Sequence, residues 1–223
     1  MEFRKIFDTI PEQFDKYRPR YSAELFADLI EYADIGPGKT ILEIGPGTGQ
    51  ATTPILSTGC DYHAIELGEH QKFDMIYSAE IIQWIPEKIA FSKTFELLKP
   101  GGALAMMLTI SDYKSTNEDL YEKIQLVYSE YFKPTIEYKH GNFQYSNASE
   151  YGYTEFEKRE YYGKREFTAD DYVAFCGTHC DHIVIPEPYK SKFFNGLKKA
   201  VLDAGNKIEL RDTYVLYLAK KPL

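Results

Sequence analysis

The segment that most constrains this chain is Thr40-Ile41-Leu42-Glu43-Ile44, which runs without a break into Gly45-Pro46-Gly47-Thr48-Gly49. The first five residues have the length and apolar character of a buried strand, set off upstream by the turn Asp34-Ile35-Gly36-Pro37-Gly38. Gln50 to Ser57 reads as a helix. A strand feeding a helix through glycines is a βα unit, in which the missing Cβ atoms let the backbone turn tightly and approach a ligand. The glycine spacing is not the dinucleotide-binding G-x-G-x-x-G, because the place of its third glycine is held by Gln50.

The alternation continues. Tyr62-His63-Ala64-Ile65 predicts a second strand ending at Glu66, and Phe73–Ser78 a third. Ile89–Leu98 has helical periodicity, and Lys99-Pro100-Gly101-Gly102 stops it before the strand Ala103–Ile110. Upstream, residues 12–33 predict a short helix, a break at Pro19 and a second helix capped by Ser22. Strands alternating with helices imply an α/β fold: a mostly parallel sheet with helices on both faces.

From Ser111 to Phe167 the alternation stops. This stretch holds ten of the nineteen tyrosines, and it is expected to be an insertion, mainly helical near Asn117–Tyr131. Beyond it, Thr168 caps a helix from Ala169, Lys190–Ala204 is another, and Ile208–Leu210 with Tyr214–Ala219 predict an antiparallel closing hairpin. The expected organisation is one domain over 1–223, with a core at 34–110, an inserted lid at 111–167, and helices and a hairpin at 168–223.

Twenty-six basic against thirty-four acidic side chains give a net charge of −8, which disfavours nucleic acid and anionic lipid as partners. No stretch approaches the roughly 20 apolar residues of a membrane helix. The first residues lack a signal-peptide pattern and three cysteines cannot close a disulfide framework, so a cytoplasmic setting is expected.

Glu66 stands twenty-one residues after Gly45, where a carboxylate can accept hydrogen bonds from ribose hydroxyls, a spacing shared by NAD and adenosylmethionine enzymes. Glu43, two residues before Gly45, the compact glycine spacing and the downstream Leu97-Leu98-Lys99-Pro100-Gly101-Gly102 distinguish the two. On these residues the sequence resembles the class I S-adenosylmethionine-dependent methyltransferases. The opening Phe14-Asp15-Lys16-Tyr17-Arg18-Pro19-Arg20-Tyr21, with Phe73-Asp74-Met75-Ile76-Tyr77-Ser78-Ala79 and Gln83-Trp84-Ile85, resembles their small-molecule, type 11-like branch.

The resemblance implies a Rossmann-like seven-stranded sheet and S-adenosyl-L-methionine as cofactor. It implies that Gly45, Pro46, Gly47 and Gly49 line the methionine moiety, that Glu43 reaches its ammonium group, and that Glu66 holds the ribose. Ser78 and Ala79 would lie beside the sulfonium end, with Tyr17 and Arg18 closing over the cofactor. The 111–167 insertion would be a lid over an aromatic or amphipathic small-molecule acceptor.

One interval departs from the family. Only six residues separate Glu66 from Phe73, whereas parallel strands on either side of the first must be joined over roughly 22 Å in a straight line. Seven extended links reach about 25 Å, and crossovers normally take a dozen residues or more. The chain is therefore expected to be short of the helix, edge strand and adenine-contacting acidic residue that the family places there.

Methyl transfer from a sulfonium is an in-line displacement that asks mainly for positioning and exclusion of water, so no catalytic residue is assigned. The Asn/Asp-Pro-Pro-aromatic sequence of exocyclic-amine nucleic-acid methyltransferases is absent. His140, His179 and His182 are candidate general bases, each more readily explained as structural or exposed. Cys176-Gly177-Thr178-His179-Cys180-Asp181-His182 packs four potential ligands too tightly for one tetrahedral ion and reads as a buried helix end, so no metal is expected. Two rival functions remain: a cofactor-binding or regulatory domain without turnover, and an NAD(P)-dependent oxidoreductase.

Overall fold

The computed structural model describes residues 9–65, 72–135 and 143–223. Two compact units divide the chain. One comprises residues 20–110, 140–162 and 213–223; the other comprises 1–19, 111–139 and 163–212.

The strands are β1 (Thr40–Ile44), β2 (Asp61–Ile65), β3 (Phe73–Ala79), β4 (Leu98–Asp112), β5 (Thr154–Phe167) and β6 (Ile208–Lys220). They form one sheet in the order β2-β1-β3-β4-β6-β5, with β1 parallel to both β2 and β3, and β3 parallel to β4. This is the expected α/β, Rossmann-like sheet, with six strands among the described residues where the family resemblance implied seven. The β2-to-β3 connection is the short interval singled out above; its residues 66–71, Glu66 included, lie outside the described residues.

In the first unit, alternate residues of each strand face opposite sides of the sheet. Ile41, Met75, Tyr77, Ala103, Ala105 and Met107 pack with Leu25, Phe26 and Leu29 of α2 (Ala23–Tyr32) and Ile55 of α3 (Thr52–Leu56). Leu42, Ile76, Leu104 and Met106 pack on the other face with Ala90 and Phe91 of α4 (Glu87–Leu97) and with Ala148 of the 3-10 segment Tyr145–Tyr151. Helix α2 starts where its cap requires, with Ser22 Oγ accepting from the Leu25 amide at 3.2 Å.

The second unit is helical at its centre. Leu120 and Ile124 of α5 (Glu118–Tyr131), Tyr172 and Phe175 of α6 (Ala169–Cys176), and Phe193, Leu197 and Val201 of α8 (Tyr189–Asp203) make its core. The short α1 (Pro11–Tyr17) and α7 (Cys180–Ile183) are its other helices among the described residues. Thr168 caps α6 as expected, accepting from the Asp171 amide at 3.2 Å.

Two expectations are corrected. The closing hairpin is a single strand, β6, lying between β4 and β5. Its expected turn, Arg211-Asp212-Thr213, runs straight because the Asp212 side chain points inward and is wholly buried against Arg165 of β5. The segment 111–167 is helical only in part: α5 lies where predicted, but the last fourteen residues are the strand β5. Its inward positions are Tyr161, Gly163, Arg165 and Phe167, so the period of two runs through Gly163 and Arg165, which hydropathy does not register as core.

Candidate functional site

Strand β1 delivers the glycine loop at its carboxyl end. Gly45, Gly47 and Gly49 have φ of +71°, +54° and +85°, the left-handed region that side chains rarely adopt. At Gly45 a Cβ would also lie 2.8 Å from Ile81 Cγ1, so the loop is held against the segment that follows β3. At Gly47 a Cβ would meet nothing within 4 Å, and there the loop faces open space. The loop is braced by the Gly49 amide donating to Pro46 O at 2.9 Å, while the Thr52 amide donates to Gly49 O at 3.2 Å.

Beneath the loop lies Glu43, 1% exposed. Three hydroxyls converge on its Oε2: Thr52 Oγ1 donates at 2.6 Å, Tyr77 OH at 2.6 Å and Tyr62 OH at 2.5 Å. The register explains the meeting, since Tyr77 of β3 is paired directly with Glu43 of β1, and Tyr62 lies two residues before Ala64, the β2 partner of Glu43. Burial, reinforced by the Glu43 charge, pushes the Tyr77 phenol well above its ordinary range. Burial and the hydrogen bond to Glu43 push Tyr62 up to about 12. Both phenols therefore stay protonated donors at neutral pH. Among the described residues nothing donates to Glu43 Oε1.

Gln50, at the far end of the loop, has its Nε2 buried with no hydrogen-bond partner among the described residues. Ser78 is fully buried, its Oγ 3.4 Å from Ile44 O, and Ala79 is the last residue of β3. Glu80 follows with φ +62°, a costly conformation for a residue with a Cβ, fixed by its amide donating to Met107 O at 2.9 Å and by the Thr109 amide donating to Glu80 Oε1 at 2.5 Å.

The first unit thus brings together Glu43, Gly45, Pro46, Gly47, Gly49, Ser78 and Ala79. Tyr17 and Arg18 belong to the second unit. There Arg18 Nη2 donates to Thr178 O at 2.9 Å and stacks over Phe14, and Tyr17 OH donates to Asp171 Oδ1 at 3.4 Å. Sequence reasoning missed Thr52, Tyr62, Tyr77 and Gln50. The available signal was Tyr77, a phenol between Ile76 and Ser78 in a strand of buried residues, because a buried hydroxyl needs a partner.

A family model for a methyltransferase domain matches residues 14–151, more than half of the chain. The chain belongs to that methyltransferase family. Among curated proteins, the ribosomal RNA small subunit methyltransferase A of Thermosynechococcus vestitus is 44% identical over 46 residues, 21% of this chain. The chain thus spans only 17% of that relative's length. Among solved structures, a protein of Anaeromyxobacter dehalogenans described as a type II methyltransferase superposes with a TM-score of 0.65 at 14% identity, covering 92% of this chain and 98% of that one. Phosphoethanolamine N-methyltransferase 2 of Haemonchus contortus, in complex with phosphomonomethylethanolamine and S-adenosylhomocysteine, gives 0.53 at 14% identity, covering all of this chain and 61% of that one. At these identities the two structures establish the class I methyltransferase fold.

The family's cofactor, S-adenosylmethionine, fits the residues present. Its methionine moiety carries an ammonium, which needs an acceptor such as Glu43 Oε1, and a carboxylate, which needs a donor such as Gln50 Nε2.

The imidazoles of the Cys176–His182 segment bond within the fold. His182 Nδ1 faces Cys176 O at 2.8 Å and His179 Nδ1 faces the same carbonyl at 3.2 Å, which places a proton on both Nδ1 atoms and leaves His182 Nε2 to accept from Tyr128 OH at 3.0 Å. Burial lowers the pKa of both imidazoles and pushes the Cys176 thiol up to about 12. Among the described residues no three His, Cys, Asp or Glu side chains are placed to hold a metal. None of the described helices is long and apolar enough to cross a membrane.

Proposed function

We propose that this chain is an S-adenosyl-L-methionine-dependent methyltransferase acting on a small molecule by in-line transfer of the sulfonium methyl group. The observation that carries the reading is the left-handed glycine loop at the end of β1, with the carboxylate of Glu43 buried beneath it. When bound, the cofactor supplies the electrophilic methyl group. The chain supplies placement: Gly45, Pro46, Gly47 and Gly49 pass along the methionine moiety, Glu43 faces its ammonium, and Ser78 and Ala79 flank the sulfur. Glu66 accepts from the ribose hydroxyls. Catalysis then rests on holding an acceptor on the axis of the breaking bond and excluding water.

A small-molecule acceptor is supported by the net charge of −8, which repels a phosphate backbone. The structural similarity to an enzyme crystallised with phosphomonomethylethanolamine points the same way. The curated rRNA methyltransferase supports the contrary acceptor class over a short stretch only.

Differential scanning fluorimetry with adenosylhomocysteine tests the cofactor. Saturating ligand should raise the melting temperature and Glu66→Ala should abolish the rise. No shift at millimolar ligand overturns the reading. Methyl transfer to a panel of small amines, phenols and carboxylates, compared with ribosomal RNA, tests the acceptor; labelled RNA with unlabelled small molecules would reverse that assignment. Cofactor binding with no labelled acceptor in either arm would favour the regulatory alternative.

A further inference from the structure

Strand β5 ends the sheet order, so among the described residues no strand pairs with its outer edge, which runs for fourteen residues. An edge of that kind is a template for another strand, and natural sheets commonly close it with charged side chains that repel a second copy. The charges of β5 are arranged in the opposite sense. Its outward positions read Lys158, Glu160, Tyr162, Lys164 and Glu166, and all five are exposed.

When two copies of an edge strand pair antiparallel about a two-fold axis normal to the sheet, each residue faces the one equally far beyond the axis. With Tyr162 on the axis, Lys158 faces Glu166 and Glu160 faces Lys164, and the symmetry makes each pair twice. The neighbouring registers fail. An axis at Tyr161 sets Lys158 against Lys164, one at Gly163 sets Glu160 against Glu166, and one at Glu160 or Lys164 sets that charge against its own copy. Like charges directly opposite one another are destabilising.

The other face accepts the same register. Tyr161 falls opposite Gly163, a ring beside a residue with no side chain, an arrangement that compensates for glycine in a strand. Arg159 falls opposite Arg165, but both guanidiniums already have carboxylate partners: Glu157 at 2.8 Å for Arg159 and the buried Asp212 for Arg165. On the outward face Tyr162 is 73% exposed, which gives the strip an apolar centre between charged flanks, the anatomy of an interface. Within one chain the flanking charges make exposed contacts, Lys158 with Glu160 at 2.5 Å, Lys164 with Glu166 at 3.8 Å and Lys207 with Glu166 at 2.8 Å. Exposed pairs of this kind contribute little, so re-pairing across an axis sacrifices little.

We propose that β5 is a homodimer edge, to which a second copy of this chain adds antiparallel with Tyr162 facing its own copy on the axis. The sheet then continues from one protomer into its partner.

Sedimentation velocity of the full chain across micromolar concentrations tests this. Wild type should form a concentration-dependent dimer. Lys158→Glu sets acid against acid at both ends of the strip and Glu166→Lys sets base against base, so each alone should weaken the dimer by about tenfold or more. Mixed in equal amounts, the two variants should recover the wild-type dimer affinity, because each supplies the charge that the other lacks. Poor folding of a variant is not repaired by mixing, so the recovery separates lost pairing from lost structure. A wild type that stays monomeric overturns the proposal, as does a dimer that neither variant weakens. Weakening that the mixture fails to reverse overturns it equally, since the register is then wrong.

Discussion

Arg165 of β5 grips Asp212 of β6 with two hydrogen bonds, Nε to Oδ2 at 2.5 Å and Nη2 to Oδ1 at 2.9 Å, and the Asp212 side chain is wholly buried. Ser111 Oγ donates to the same Oδ1 at 2.6 Å, and Arg165 Nη1 donates to Tyr17 O at 3.2 Å. The guanidinium lies over the Phe167 and Phe175 rings. A charge buried this completely is tolerable only because its partner and hydrogen bonds are complete.

Removing one partner should therefore be severe. Arg165→Met leaves an unpaired buried carboxylate and is expected to cost about 3–5 kcal/mol in urea unfolding, whereas Arg165→Met with Asp212→Leu should recover much of that loss. A loss under about 1 kcal/mol for the single variant would show that Asp212 finds other partners or water.

Gly45→Ala should both destabilise the fold and weaken cofactor binding. The left-handed backbone alone costs an alanine about 1–2 kcal/mol, and the new Cβ would lie 2.8 Å from Ile81 Cγ1. Adding Ile81→Ala should relieve the clash and leave the backbone part. Thermal melts with and without adenosylhomocysteine separate the two contributions; full recovery in the double variant would show that the backbone carries no strain.

His179 and His182 make the fold sensitive to mild acid. Burial holds both pKa values down, helped for His179 by Arg18 and opposed for His182 by the Asp181 charge. The unfolded imidazoles take up protons below about 6.5, while the folded ones resist, so their stability is fully present above that value and is lost as pH falls toward the folded pKa. Urea midpoints at pH 7.5, 6.0 and 5.0 should decline with a slope approaching about 1.4 kcal/mol per pH unit per histidine. His179→Gln and His182→Gln should each flatten the decline; an unchanged slope in both would remove the histidines from the account.

Asp74 acts in a lower window. Burial draws its carboxyl upward, but Lys99 Nζ at 2.8 Å and the Thr40 amide at 2.7 Å outweigh this and hold it below the usual range. Its stabilisation is present above the unfolded pKa near 3.9 and disappears as pH falls through the folded value. Because the pair is partly exposed, Asp74→Asn should cost only about 1 kcal/mol at pH 7 and nothing at pH 2. A cost that persists at pH 2 would assign it to packing.

Much of the fold was legible locally. Thr40–Ile44, the glycine loop, the Ser22 and Thr168 caps and the α4 and α8 helices follow from apolar period, cap chemistry and glycine placement, all written within a few residues of one another. The glycine loop could be picked out for the same reason, and Glu43 through the family resemblance that the loop and its neighbours carry.

What only the tertiary structure decided depends on residues far apart in sequence. Arg211-Asp212-Thr213 reads as a turn until Arg165, 47 residues earlier than Asp212, supplies the charge that lets Asp212 point inward and β6 run on. Tyr161 and Arg165 fall in the segment expected to be a lid, and only the neighbouring strand gives their inward face something to meet. Tyr77, 34 residues from Glu43, and Tyr62, 19 residues from it, become one cluster only through the parallel register of β2, β1 and β3. Apolar burial is non-directional and averages along a sequence window. A buried charge or hydroxyl needs one particular partner at hydrogen-bond distance, and that partner is chosen by strand pairing.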